Sequence, residues 1–199
     1  MTLIRSFRRV WLTTICWMLL VSLGFAAEIE LQVPEPEGLW TGPMGGETPP
    51  ALQGAQVIDV PALELLLLQN PLLIDVRPPE LRPEGLPASK VWMPASRSIP
   101  GAIWFPDAGR ADLPNEMVRM LLDRIAVLTN GDKSAAIVTF CQPQCWGSWN
   151  MGKRLVQAGY TSVYWFPAGV SGWQEHHETS PVSAEPGWLR EASASKGNR

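Results

Sequence analysis

Apolar positions fall into short continuous runs separated by segments of helical periodicity. Val57-Ile58-Asp59 is a short strand candidate, and Pro61 opens a predicted helix over Ala62–Gln69, with proline in the first turn where it costs least. Asn70-Pro71 stops that helix, and Leu72–Val76 follows as an apolar run interrupted only by Asp75, the pattern of a strand buried on both faces. A Pro-rich stretch from Pro78 to Arg97 reads as an irregular insertion, because its prolines leave no room for a helix. Gly101–Phe105 is a third strand. Asp112 is placed to cap a helix from Pro114 to Leu128, with Met117, Met120, Leu121, Ile125 and Leu128 on one face. Ala135–Phe140 is a fourth strand, Ser148–Ala158 a helix capped by Ser148 and stopped at Gly159, and Ser162–Phe166 a fifth strand. Gly169–His176 is a last short helix. Strands alternating with helices predict an α/β fold: a central five-stranded parallel sheet with helices on both faces, in three layers.

The ends behave differently. Arg5, Arg8 and Arg9 precede an uncharged apolar stretch from Val10 to Phe25 and small residues at Ala26-Ala27, which predicts a cleavable signal peptide over 1–26. The stretch is short for a membrane span, so a periplasmic location without a stable anchor after cleavage is expected. Cys16 would be lost with it. Residues 27–54 read as an extended Pro/Gly-rich arm, 55–178 as the folded domain and 179–199 as a polar, loosely held tail. Removing 1–26 takes away three arginines and no acid, moving the net charge from −3 to −6. That balance disfavours nucleic acid as a partner.

The chemistry concentrates at Cys141-Gln142-Pro143-Gln144-Cys145-Trp146-Gly147-Ser148, between the fourth strand and a helix N-terminus. Unpaired N–H groups and the positive end of the helix dipole favour thiolate there, and thiolate is the nucleophilic form. In an oxidising compartment the two thiols can instead rest as a disulfide, since cysteines four apart reach the required separation if the loop turns. Paired thiolates at this spacing also suit a soft cation such as Cu(I), with His176 or His177 as a third ligand. Haem attachment lacks its C-x-x-C-H motif. No cofactor is called for, and no metal is assigned. Trp146 and Trp149, with Trp92, are read either as an aromatic contact surface or as packing; Trp104, Trp165 and Trp173 are assigned to the core.

Four signatures in order resemble the rhodanese-like domain over residues 55–177: Asp75-Val76-Arg77, Ser98-Ile99-Pro100-Gly101-Ala102, the strand Ile137–Phe140 running into Cys141, and Gly159-Tyr160 with Gly169 and Gly172-Trp173. Ser98 stands where that family usually has His. The segments Arg82–Pro87, Arg97–Ala102 and Cys141–Asn150 resemble, more narrowly, exported rhodanese-like proteins associated with PQQ-dependent alcohol catabolism. The resemblance implies sulfur transfer through a persulfide on Cys141, with Cys145 as a resolving or disulfide partner and Asp75 and Arg77 supporting the site floor or the fold. The implied partners are a small sulfur donor and a thiol acceptor, or an exported quinoprotein dehydrogenase that the chain assists without catalysis. Rhodaneses carry an arginine in this loop that holds an anionic donor, and phosphatases on the same fold end theirs in arginine. Here that arginine would fall near Trp146 or Gly147, which argues against phosphatase activity.

Overall fold

Three apolar runs form the centre of one parallel sheet: β2 (Leu72–Asp75), β5 (Ile137–Phe140) and β6 (Val163–Phe166). The computed structural model describes residues 33–79, 84–87, 89–90 and 96–188. The expected signal peptide over 1–26 and Cys16 therefore lie outside the described residues, as do Trp92, half of the Pro-rich insertion and the chain beyond 188. Two short edge strands, β1 (Gln56–Val57) and β4 (Ile103–Trp104), complete the sheet in the order β1-β6-β5-β2-β4. Leu72 lies opposite Ile137 and Asp75 opposite Phe140; Ile137 lies opposite Val163 and Phe140 opposite Phe166. The second sheet pairs β3 (Ser96–Ser98) with β7 (Ser180–Val182), antiparallel.

Side chains alternate across the parallel sheet and create two apolar layers. Ile74, Ile137 and Val163 pack with Met117, Leu121 and Ile125 of α2 (Asn115–Leu128) and Met151 and Leu155 of α3 (Trp146–Gln157). Leu73, Val138, Phe140 and Phe166 face the other way, onto Leu63 and Leu66 of α1 (Val60–Leu67) and Val170 and Trp173 of α4 (Gly169–Gln174). The expected three-layer α/β architecture is thus the observed one. Among the described residues, no helix is long and apolar enough to cross a membrane.

Helix starts are set by the hydrogen-bond partners at hand. Asp59 caps α1, accepting the Ala62 N–H at 3.0 Å. Asp112 does not cap α2: its carboxylate takes the Arg110 guanidinium at 2.8 Å, and Pro114 stands at the cap position. Nor does Ser148 cap α3. That helix begins two residues earlier, with Cys145 as its cap, and the Ser148 hydroxyl donates back to the Cys145 carbonyl at 3.1 Å.

Two expectations about irregular chain are overturned. Ser96 and Arg97, placed in the Pro-rich insertion, pair with Val182 and Pro181, placed in a loosely held tail. The described part of the tail, to residue 188, is held through Trp188, buried against Phe105 with ring centroids 5.4 Å apart and donating its indole N–H to the Pro106 carbonyl at 2.7 Å. Glu185 adds an ion pair to Arg124 at 2.5 Å. One large aromatic in a polar segment was enough to dock it.

Candidate active site

Strand β5 delivers Cys141 to the carboxyl edge of the sheet, where ligands of open α/β folds bind. The Cys141 carbonyl accepts the Val170 N–H at 2.9 Å, which ties the loop to α4. Gly169 makes that approach possible: its φ is +58°, and a Cβ there would lie 2.4 Å from the Cys141 oxygen. Gln144, at φ +53°, then turns the chain back. Cys141 and Cys145 are joined by a disulfide across a Cα separation of 6.2 Å. The thiol expected at Cys141 is accordingly held in a disulfide. Cys141 is 1 % exposed, while Cys145 is partly exposed and Pro143 and Gln144 face solvent. Gln142 is held to one side by the Ser171 hydroxyl, which donates to its amide oxygen at 2.6 Å.

The Pro/Gly-rich arm lies directly on this loop. Gly45 bridges Cys145 in antiparallel fashion, the Gly46 N–H donates to the Gln144 carbonyl at 2.9 Å, and the Trp146 N–H donates to the Met44 carbonyl at 2.8 Å. One of the donors that open α3 is therefore engaged by the chain itself. Trp40 stacks on Trp146 with centroids 4.3 Å apart, and Asn150 clamps Trp40 by accepting its backbone N–H at 2.7 Å and donating to its carbonyl at 2.9 Å. Trp149 donates to the Ala51 carbonyl, and Leu52 is buried with it. Trp146 and Trp149 are thus 2 % and 0 % exposed, packed under the arm, and do not form the aromatic contact surface considered from sequence. Gly147 packs against Gly109 so closely that a Cβ on Gly109 would sit 2.0 Å from the Gly147 oxygen. Sequence reasoning missed Trp40 and the clamping role of Asn150. A lone tryptophan in a polar arm and an amide inside a buried helix were the available signals.

Beside the loop, β2 ends in a closed charge network. The Arg77 guanidinium donates to both Asp75 oxygens, at 2.7 Å from Nη2 and 3.1 Å or less from Nε, and to the Arg97 carbonyl at 2.5 Å. Ser98 donates its hydroxyl to Asp75 at 2.7 Å, and Trp104 donates its indole N–H to the Arg77 carbonyl. Trp104, Trp165 and Trp173 are buried, as expected.

A family model described as the rhodanese-like domain matches residues 61–176. The chain belongs to the rhodanese-like domain family. No curated protein sequence matches the chain. Among solved structures it is similar to a human single-domain sulfurtransferase at 20 % identity, covering 61 % of this chain and 97 % of that one, with a TM-score of 0.38. It is also similar to a homodimeric polysulfide-sulfur transferase from Wolinella succinogenes at 18 % identity, covering 67 % and 83 %, with a TM-score of 0.40. An uncharacterized protein from Saccharomyces cerevisiae matches at 17 % identity over 61 % and 92 %, with a TM-score of 0.38.

In this rhodanese-like domain the nearby cations are turned away from the cysteine loop. Arg154 donates to the carbonyls of Ala108 and Arg110 at 2.8 and 2.9 Å, and burial lowers its pKa to about 10. Lys153 reaches the Pro36 carbonyl at 2.6 Å and Glu35 at 3.4 Å, pinning the arm. Arg110 is paired with Asp112, whose hydrogen bond raises its pKa further. His177 bonds Glu64 at 2.6 Å and stacks on Trp173, and among the described residues no three His, Cys, Asp or Glu side chains converge. The copper reading therefore gains no third ligand from either histidine.

Proposed function

We propose that this rhodanese-like chain carries sulfur as a persulfide on Cys141 and that Cys145 resolves it, the disulfide being the resolved state. The observation that carries this reading is the placement of the two cysteines. Cys141 stands at the end of the central strand, and Cys145, at the cap of the following helix, is already bonded to it. In the reduced chain the Cys141 thiolate takes the outer sulfur of a donor R–S–SH, releasing R–S⁻ and leaving Cys141–S–SH. The Cys145 thiolate then attacks the inner sulfur, re-forming the Cys141–Cys145 bond and expelling HS⁻. The acceptor of sulfur is a thiol or a reductive release of this kind. On the N-terminal pattern and the narrower resemblance, the setting is the periplasm, in association with PQQ-dependent alcohol oxidation.

The test uses reduced protein and polysulfide, with peptide mass spectrometry. Cys145→Ser is expected to retain an added sulfur on Cys141, whereas the wild type loses it and regains the disulfide. Absence of added sulfur on Cys141 in both proteins, while the thiols still alkylate, would sink the proposal. A second reading, thiol–disulfide exchange with a partner, is favoured by the partial exposure of Cys145. It predicts reversible reduction of the bond without any sulfur adduct.

A further inference from the structure

We infer that a thiol opening the disulfide attacks Cys145, so that Cys141, at the family's nucleophile position, is the leaving and resolving sulfur of that step. The inference rests on the proposed cycle, in which the bond is opened and re-formed.

Thiol–disulfide exchange needs a nucleophile to approach the attacked sulfur along the S–S axis, from the side away from the leaving sulfur. That approach is closed at Cys141. The residue is 1 % exposed and belongs to the apolar cluster that includes Val76, Ala108, Met151 and Trp188. Its carbonyl is fixed to Val170, with Gly169 in close contact. Cys145 packs against the same cluster but from its rim: it is partly exposed, preceded by exposed Pro143 and Gln144, and paired with Gly45 of the arm. A cleft of about 290 Å³ lies between arm residues Thr41–Met44 and Arg110–Asp112. Met44 joins the cleft to the loop, since it lines the one and its carbonyl holds the first N–H of the helix that Cys145 caps. The family resemblance and accessibility thus assign opposite roles to the two sulfurs, and exchange rates follow access.

R–S⁻ bonds to Cys145 Sγ as the Cys141–Cys145 bond breaks, and the electron pair of that bond leaves on Cys141 Sγ, giving R–S–S–Cys145 and Cys141–S⁻. A second thiolate then attacks the R sulfur, releasing R–S–S–R and Cys145–S⁻. Two thiols are oxidised and the protein gains both electrons. If no second thiol arrives, Cys141 attacks Cys145 Sγ and expels R–S⁻, restoring the starting bond.

The full oxidised chain is mixed with glutathione for short times, quenched in acid, alkylated and mapped by fragmentation of the peptide holding both cysteines. Glutathione is expected on Cys145 and the alkyl group on Cys141, in excess over the reverse arrangement by at least about tenfold, since the attacked sulfur is set by access. Glutathione on Cys141 overturns the inference while leaving persulfide carriage by Cys141 standing. No adduct and no reduction at either sulfur overturns both the inference and the cycle. A second measurement reads the reduced single variants against an aromatic disulfide. The Cys145 thiol of Cys141→Ser is expected to react at least about tenfold faster than the Cys141 thiol of Cys145→Ser, and equal or reversed rates count against the inference.

Discussion

Two neighbouring strands end at the same edge of the sheet with opposite chemistry. Strand β2 ends in Asp75, whose carboxylate is closed by Arg77 and Ser98; β5, in register with Asp75 opposite Phe140, ends in Cys141 and an uncharged disulfide loop. The charged end has its full charge engaged in holding β3 and β4 to β2, through Arg97, Ser98 and Trp104. The thiol end has no guanidinium directed at it from Arg77, Arg110 or Arg154. Anionic sulfur at this edge must therefore rely on backbone dipoles, one of which the arm already engages at Trp146. A rhodanese-like sheet can separate its structural charge from its sulfur chemistry by one strand.

The comparison breaks most visibly at the charged end. Asp75→Ala leaves Arg77 buried without its carboxylate and is expected to cost about 3–5 kcal/mol in denaturant unfolding. The Cys141–Cys145 bond should still form in the variant that folds. Reduction of the disulfide acts at the other end and is smaller. Closing so short a loop restricts the unfolded chain by roughly 2 kcal/mol, so the reduced protein should unfold at correspondingly lower denaturant. The smallest effect sharpens the role of the cover. Trp40→Ala removes the stack on Trp146 and is expected to cost about 1 kcal/mol. It should also speed hydrogen exchange at the Trp146 amide, which is bonded to the arm, more than at amides of the central strands. Equal protection in variant and wild type would mean that the arm does not depend on that stack.

The parallel sheet was readable because its central strands are predominantly apolar runs; Leu72–Val76 and Ala135–Phe140, each with one polar residue, have few other solutions. Cys141 and Cys145 were readable as a pair for the same reason, since a strand end and a helix start fix their neighbourhood. The β3–β7 pairing was not. Ser96-Arg97-Ser98 and Ser180-Pro181-Val182 carry no alternating apolar signal, and their pairing is stabilised by contacts distant in sequence, such as Arg97 with Thr179 and Trp188 with Phe105. Where the arm docks was not legible for a related reason. Its attachment depends on Trp40, Met44 and Leu52 finding α3, more than 90 residues away, and its local composition is that of a solvated segment. The start of α3 was misplaced because Ser148 is a good cap by residue type, whereas the disulfide and the Met44 carbonyl fix the turn at Cys145.

Persulfide carriage with resolution by Cys145 is tested most directly in a single turnover of the wild-type chain. Fully reduced protein is loaded with a sulfane-sulfur donor, freed of excess donor, and followed for hydrosulfide and for the Cys141–Cys145 bond on one time course. The account predicts that hydrosulfide appears in step with the disulfide, one for one. Disulfide re-forming without hydrosulfide, or both thiols remaining free after exposure to the donor, would contradict it.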